Sequence, residues 1–207
     1  MAAPSTLRNM VLCLTGVCLV CAAILGGMYA LTYEPIQKAN ENILKASIGA
    51  VLPEGVEISE PQTHEWEGVS YEYYPAVKDG EAVAYAVKST TVGFGGPLSL
   101  MVGVLKDGTV FNTSVLACTE TPGLGAKCQE AGSHFRTQFQ GFGPDKSLKV
   151  TKDGGDVDAI TASTITSRAY ALAVSNAVAV VKFLSGEAAS VDSATGATTP
   201  VEIKGEK

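Results

Sequence analysis

Residues 10–32 contain no charged side chain, and the run VLCLTGVCLVCAAILGGMYAL is almost wholly apolar. At 1.5 Å of rise per residue, a helix through this run is long enough for a hydrocarbon core of about 30 Å. A cleaved signal peptide would need the apolar run to stop near Ala22 and Ala23, yet it continues to Leu31. The residues before Cys13, Cys18 and Cys21 are Leu12, Val17 and Val20, not the small residue that a lipidated cysteine follows. The run therefore reads as a retained single-pass anchor. The next apolar-rich stretch, residues 169–184, carries Asn176 and Lys182 and reads as a core helix. Arg8 precedes the span and Glu34 follows it, which places residues 1–9 on the cytoplasmic side and the bulk of the chain outside.

The remainder is too apolar to be disordered, since 46% of the whole chain is hydrophobic and 17% charged. With a net charge of −6 and no basic run, the chain lacks the electrostatic footprint of a nucleic-acid binder. Three of the five cysteines lie in the span, where Cys serves as a small apolar residue. Cys18-x-x-Cys21 offers half the ligands of a zinc or iron–sulfur site, so no metal site is expected from this chain alone. Cys118 and Cys128 flank a Gly-rich loop, and outside the cytoplasm they could oxidise to a disulfide. Their spacing in sequence leaves their separation open. His64 and His134 stand alone and read as surface or packing residues.

Residues 35–52 keep a helical apolar period through Ile36, Ala39, Ile43, Ala46 and Val51, stopped by Pro53, and read as a stalk over 33–52. Residues 71–74, 82–92, 98–104 and 110–117 are rich in Val, Tyr and Thr, with Asp79-Gly80 and Asp107-Gly108 as turns. These predict antiparallel strands. Residues 127–139 look helical, and residues 157–160 look like a short strand. Ile165, Ala169, Leu172, Ala173, Ala177, Val180 and Leu184 mark an amphipathic helix ended by Gly186. The expected class is α+β, with an antiparallel sheet and flanking helices in a folded domain over 53–186. Residues 187–207, rich in Ala, Ser, Thr and Gly, have little to bury and are expected to form a mobile tail.

Two segments carry chemistry. Glu120-Thr121-Pro122-Gly123-Leu124-Gly125-Ala126-Lys127 joins a strand to a predicted helix, and its glycines let a flat ligand approach the main chain. Gly93-Phe94-Gly95-Gly96-Pro97 lacks the strand-to-helix setting of a dinucleotide fingerprint and reads as a bend between strands. The second segment, Asp158-Ala159-Ile160-Thr161-Ala162-Ser163-Thr164-Ile165-Thr166-Ser167, opens the amphipathic helix. Its hydroxyls predict side-chain capping, and the same helix start favours a phosphate through free amide N–H groups and the helix dipole.

In their order and separation, the anchor, the α+β domain, the loop E-T-P-G-L-G-A-K and the segment D-A-I-T-A-S-T-I-T-S resemble one family. It is the FMN-binding G subunit of the Rnf ion-translocating electron-transport complex, related to the C subunit of the sodium-pumping NADH:quinone reductase. The resemblance covers most of residues 10–185. It implies that the domain over 53–186 binds FMN, carried as a phosphoester on a threonine in an S/T-G-A-T pattern and installed by a separate flavin transferase. Here that residue is Thr164, with Ala162 where the family usually has Gly and Ser163 where it has Ala. A literal Thr195-Gly196-Ala197-Thr198, preceded by Asp192, also occurs. Pro200 and a short charged end follow it instead of an amphipathic helix, which favours Thr164.

On this reading Thr121, Gly123, Leu124 and Gly125 form one wall of the ring site. Leu124 is the apolar contact and Glu120 orders the loop, while Thr161 and Ser163 complete the cofactor-binding set. The resemblance further implies a flavin relay on the outer face of the bacterial inner membrane. Its complex passes electrons between ferredoxin and NAD while moving sodium ions or protons. No nicotinamide fingerprint and no sufficient cysteine cluster occur here, so NADH and iron–sulfur centres are expected on partner subunits. The uncharged span puts ion passage in partners as well. No residue of this chain is expected to be catalytic on its own. Two other readings stand beside this one: the equivalent flavin subunit of an NADH:quinone reductase or another membrane redox pathway, and a non-enzymatic anchored scaffold whose glycine loops are only turns.

Overall fold

The computed structural model describes residues 6–186. Its elements are α1 (Leu7–Val51), β1 (Glu57–Ile58), β2 (Gln62–Trp66), β3 (Val69–Lys78), β4 (Glu81–Val92), β5 (Pro97–Leu105), β6 (Val110–Cys118), α2 (His134–Thr137) and α3 (Thr164–Leu184). Single 3-10 turns occupy Gly125–Gln129 and Thr151–Asp153. Contacts divide the chain into two units meeting at Ile43 and Leu44, inside α1. The first unit is helical and apolar, with Leu19, Leu25 and Leu31 each at least 66% exposed to their surroundings.

In the second unit the strands form one antiparallel sheet in the order β1-β3-β4-β5-β6, with β2 beside β1 on the outer edge of β3. The β3–β4 turn holds Asp79 and Gly80 at positive φ, and the β2–β3 turn does the same with Glu67 and Gly68. Two successive positive φ values match the right-handed twist of the flanking strands, which is why each hairpin closes in two residues. The β5–β6 turn is closed by Thr109 N–H bonding to the Asp107 carboxylate at 2.9 Å.

β5 is buried on both faces because each face meets a different partner. Leu98, Leu100, Val102 and Val104 join Tyr170, Ala173, Ala177 and Val181 of α3 in the larger core, which also holds Phe135 and Phe139. Met101 lies on the other face with Ile48, Val51 and Leu52 from the end of α1. Gly103 lets that helix end sit against the sheet: a Cβ there would fall 1.7 Å from the carbonyl oxygen of Val51. Buried polar bonds tie the layers, with Thr91 Oγ1 donating to the Ala169 carbonyl and Tyr170 OH to Thr113 Oγ1. Gly186, at φ 83, ends α3 by donating its N–H to the Phe183 carbonyl.

The α+β class, the four principal strands and the long final helix stand as expected. Two local expectations fail. Residues 127–139 do not form one helix: the 3-10 turn stops at Gln129, and a separate turn of helix begins at His134 after Ser133, whose Oγ accepts the Arg136 N–H. Residues 157–160 do not form a strand beyond a single bridge from Val157 to Val150. The reason is a competing partner, since the Asp158 N–H and carbonyl both bond to the side-chain amide of Gln138. The Thr195–Thr198 motif and the tail over 187–207 lie outside the described residues.

Candidate functional site

The strand ends bring three segments together around a cavity of about 420 Å³. Its lining residues are Phe94 from the β4–β5 turn, Glu120, Thr121, Leu124 and Gly125 from the loop after β6, and residues 162–166 at the start of α3. Glu120 joins the first two segments. The residue is 7% exposed, and its carboxylate accepts the N–H of Phe94 at 2.8 Å and of Gly95 at 3.2 Å. A buried carboxylate held by two amide donors is a fixed anchor, since removing either partner leaves an uncompensated polar group.

The loop then turns tightly, with the Thr121 carbonyl accepting the N–H groups of Leu124 and Ala126, both at 3.2 Å. Gly123, at φ 76, supplies the turn. Gly125 instead permits a close approach: a Cβ there would lie 2.8 Å from both Glu120 Oε2 and Thr166 Oγ1, so only glycine lets the loop come this near to α3. Leu124 remains 45% exposed at the mouth, with Phe94 at 71% and Ile165 at 51%. The cavity thus has a polar floor and apolar side chains at its rim.

Thr164 is the first residue of α3. The preceding turn, Ile160 to Ser163, closes through Ser163 N–H to the Ile160 carbonyl at 3.0 Å. Buried Ser167 braces it by accepting the Ile160 N–H and donating to the Ser163 carbonyl, both at 2.9 Å. The expected side-chain cap is not made: Ser163 at the N-cap makes no side-chain bond to the first turn, because its backbone (φ −135, ψ 44) departs from the extended geometry of a capping residue. The amide groups of the first turn therefore keep their unfilled donors directed at the helix start. Ala162 adopts φ 62, a left-handed conformation that costs a non-glycine residue about 1–2 kcal/mol.

A cationic group stands beside Thr164. Lys152 Nζ lies 3.4 Å from the Thr164 hydroxyl oxygen. It is carried on the 3-10 turn Thr151–Asp153, which is fastened to α3 by a bidentate pair, Arg168 Nε and Nη2 to Asp153 Oδ2 and Oδ1 at 2.7 and 2.6 Å. The Arg168 hydrogen bonds, with the charges of Arg168, Lys149 and Lys152, hold the Asp153 carboxyl below its usual range.

Of the residues singled out from sequence, Glu120, Thr121, Leu124, Gly125, Ser163 and Thr164 line the cavity together; Gly123 and Thr161 do not. Sequence reasoning missed Phe94, Ile165, Thr166 and Lys152. An aromatic residue set among glycines in Gly93–Gly96 was the available signal for Phe94; nothing local marked Lys152.

A family model described as an FMN-binding domain matches residues 93–179. The G subunit of the ion-translocating oxidoreductase complex from Shewanella piezotolerans is 31% identical over 170 residues, covering 75% of this chain and 80% of the relative. Its counterpart from Vibrio cholerae is 35% identical over 164 residues, covering 72% and 78%. The G subunit of a proton-translocating ferredoxin:NAD(+) oxidoreductase complex from Clostridium ljungdahlii is 37% identical over 118 residues, covering 56% and 62%. The C subunit of the Na(+)-translocating NADH-quinone reductase from Parabacteroides distasonis, a crystal structure, aligns at a TM-score of 0.48 with 23% identity, covering 74% of this chain and 94% of its own. With 31% and 35% identity over more than two thirds of each chain, this protein belongs to the family of G subunits of ion-translocating oxidoreductase complexes, and residues 93–179 match the FMN-binding domain.

Proposed function

We propose that this chain is the flavin-carrying electron relay of a membrane complex that couples ferredoxin:NAD electron transfer to the movement of sodium ions or protons, with FMN held on Thr164 as a phosphoester. The observation that carries this reading is the position of the Thr164 hydroxyl: on the cavity wall, at a helix start, and 3.4 Å from a lysine ammonium. Each feature favours an anionic phosphodiester there. The cavity volume of about 420 Å³ falls within the range of about 300–1,000 Å³ that suits small ligands.

Bound FMN supplies redox chemistry at its isoalloxazine ring, while the protein binds and orients it. Lys152 would balance the phosphodiester charge, and the Arg168–Asp153 clasp would keep Lys152 in reach. Leu124, Ile165 and Phe94 would cover apolar ring surface, and Glu120 would hold the loop of Thr121 and Gly125 against it. Gly123, Thr161 and Ser163 would shape the backbone around these contacts. A threonine hydroxyl is a weak nucleophile, so attachment belongs to a separate flavin transferase. Residues 10–32 form the single span, with residues 1–9 cytoplasmic, residues 33–52 as stalk and the domain of residues 53–186 on the outer face. Other subunits supply the iron–sulfur centres, the NADH site and the ion path. The name of the Clostridium relative, which specifies ferredoxin:NAD(+), supports this reading over a quinone-linked one.

Expression beside a flavin transferase, followed by tryptic mapping, tests it. Flavin mass is expected on the peptide of residues 153–168, and Thr164→Val should remove the fluorescent band from a denaturing gel. Flavin on the peptide of residues 183–204 would move the attachment to Thr198. Colourless, unmodified protein would leave the anchored-scaffold reading in its place.

A further inference from the structure

Cys118 closes β6, Cys128 lies in the 3-10 turn Gly125–Gln129, and their Sγ atoms are 3.8 Å apart. Between them runs the loop that gives Glu120, Thr121, Leu124 and Gly125 to the cavity. We propose that Cys118 and Cys128 are oxidised to a disulfide that ties together the two ends of this flavin-site loop. The oxidant is a disulfide donor of the thiol–disulfide exchange class, met on the outer face of the membrane. That placement rests on the topology proposed above; the chemistry of the pair does not.

Two sulfurs at 3.8 Å are already in contact, and a shift of under 2 Å would bring them to a bond of about 2.05 Å. The two thiols differ in access. Cys128 is fully buried in the larger core, whereas Cys118 is half-buried at its edge. Burial and the neighbouring Cys118 push the Cys128 thiol up to about 12. Cys118 is therefore the thiol that reacts first. Its thiolate attacks the donor disulfide, forming a mixed disulfide and releasing one donor thiol. Cys128 then gives up its proton and attacks Cys118 Sγ, releasing the second donor thiol. The two cysteines lose two electrons and two protons, and the donor gains both.

The consequence is local. With free thiols, the loop is held by the Glu120 clasp and by the bonds to the Thr121 carbonyl. A disulfide closing positions ten residues apart makes the same loop a covalent ring, removing much of its freedom in the unfolded chain. The wall of the flavin site then stays closed when the surrounding core loosens.

Trypsin separates the pair, leaving Cys118 in the peptide of residues 107–127 and Cys128 in that of residues 128–136. The full chain, purified in detergent, is refolded from denaturant in reduced and oxidised glutathione, alkylated and digested without reductant. The two peptides are expected as one joined mass, two hydrogens short of their sum, that separates on reduction. Reduction should lower Tm by roughly 5–10 °C. Cys118→Ala, at the more exposed member of the pair, should abolish the joined mass and the response of Tm to reductant; Cys128→Ala should do the same. Two separately alkylated peptides after refolding would overturn the pairing. Joined peptides from purified protein but free thiols in freshly alkylated native membranes would overturn oxidation in the cell and the outer-face placement, and leave flavin on Thr164 standing.

Discussion

Among the described residues, two helices are long and apolar enough to cross a membrane, and they meet opposite fates. The most apolar stretch of α1 is 0% buried by protein, whereas that of α3 is 78% buried. α3 opens with two polar groups that the protein itself satisfies: Ser167 bonds to the turn before it, and Arg168 is paired with Asp153. Its small residues Ala169, Ala173 and Ala177 let it lie close on the sheet. The stretch over residues 10–32 has no charge and offers large side chains such as Leu19, Leu25 and Leu31 outward. An apolar helix needs a low-dielectric neighbour, and the pattern of its polar interruptions decides whether protein or lipid provides it.

The strongest way to break this contrast is to place the same charge in both helices. Ala173 is fully buried, so Ala173→Asp puts an unpaired carboxylate in the core and should cost more than about 4 kcal/mol, abolishing cooperative unfolding of the domain. Leu19→Asp should leave that unfolding transition in place and act on insertion instead, at about 3 kcal/mol, seen as loss from the membrane fraction. If Leu19→Asp melted the domain as Ala173→Asp does, the contrast would fail.

The two ends of α1 differ in the same way, because its last turns belong to the domain core. Gly103→Ala would press a methyl group onto the Val51 carbonyl and should lower domain stability by about 2–3 kcal/mol, read as a lower denaturant midpoint.

Alkaline pH probes the core side of the contrast. In the reduced protein, burial raises Cys128 from 9.0 to about 12 and Tyr170 from 10.0 to about 12. Both groups prefer to stay neutral in the folded state. Their contribution is whole below about pH 9 and is lost as pH rises toward 12, because the unfolded chain ionises first. Tm should fall across that window, and fall less once Cys118 and Cys128 are joined. The smallest effect is a gain: Ala162→Gly relieves the left-handed backbone before α3 and should add about 1 kcal/mol, measured by thermal melting.

Legibility varied with the strength of the local signal. β3 to β6 and α3 were readable because alternation, Asp-Gly turns and a helical apolar stripe coincide in them. β1 and β2 were not: β2, Gln62–Trp66, has no fully buried residue and Trp66 as its one apolar side chain, and its register comes from pairing with β3. Residues 127–139 carried enough helix-compatible residues to suggest one helix, while Ser133 starts a new turn and ends that continuity. At the candidate site, the glycine loop and Thr164 were singled out by motif chemistry, and both line the cavity. Lys152 reaches Thr164 only because Arg168 fastens Asp153, a tertiary contact invisible to local spacing.

The sequence alone determined that residues 10–32 require an apolar surrounding, that an α+β domain follows, and that a hydroxyl-rich helix start lies beyond a glycine loop. Those properties depend on neighbours in the chain: unbroken apolar length, alternation and turn residues. The tertiary structure decided which glycines make contact and which only turn, that Glu120 bolts Phe94 to the loop, and that Cys118 meets Cys128. These depend on distances across the fold, which are set when β6, the loop and α3 pack around a shared core.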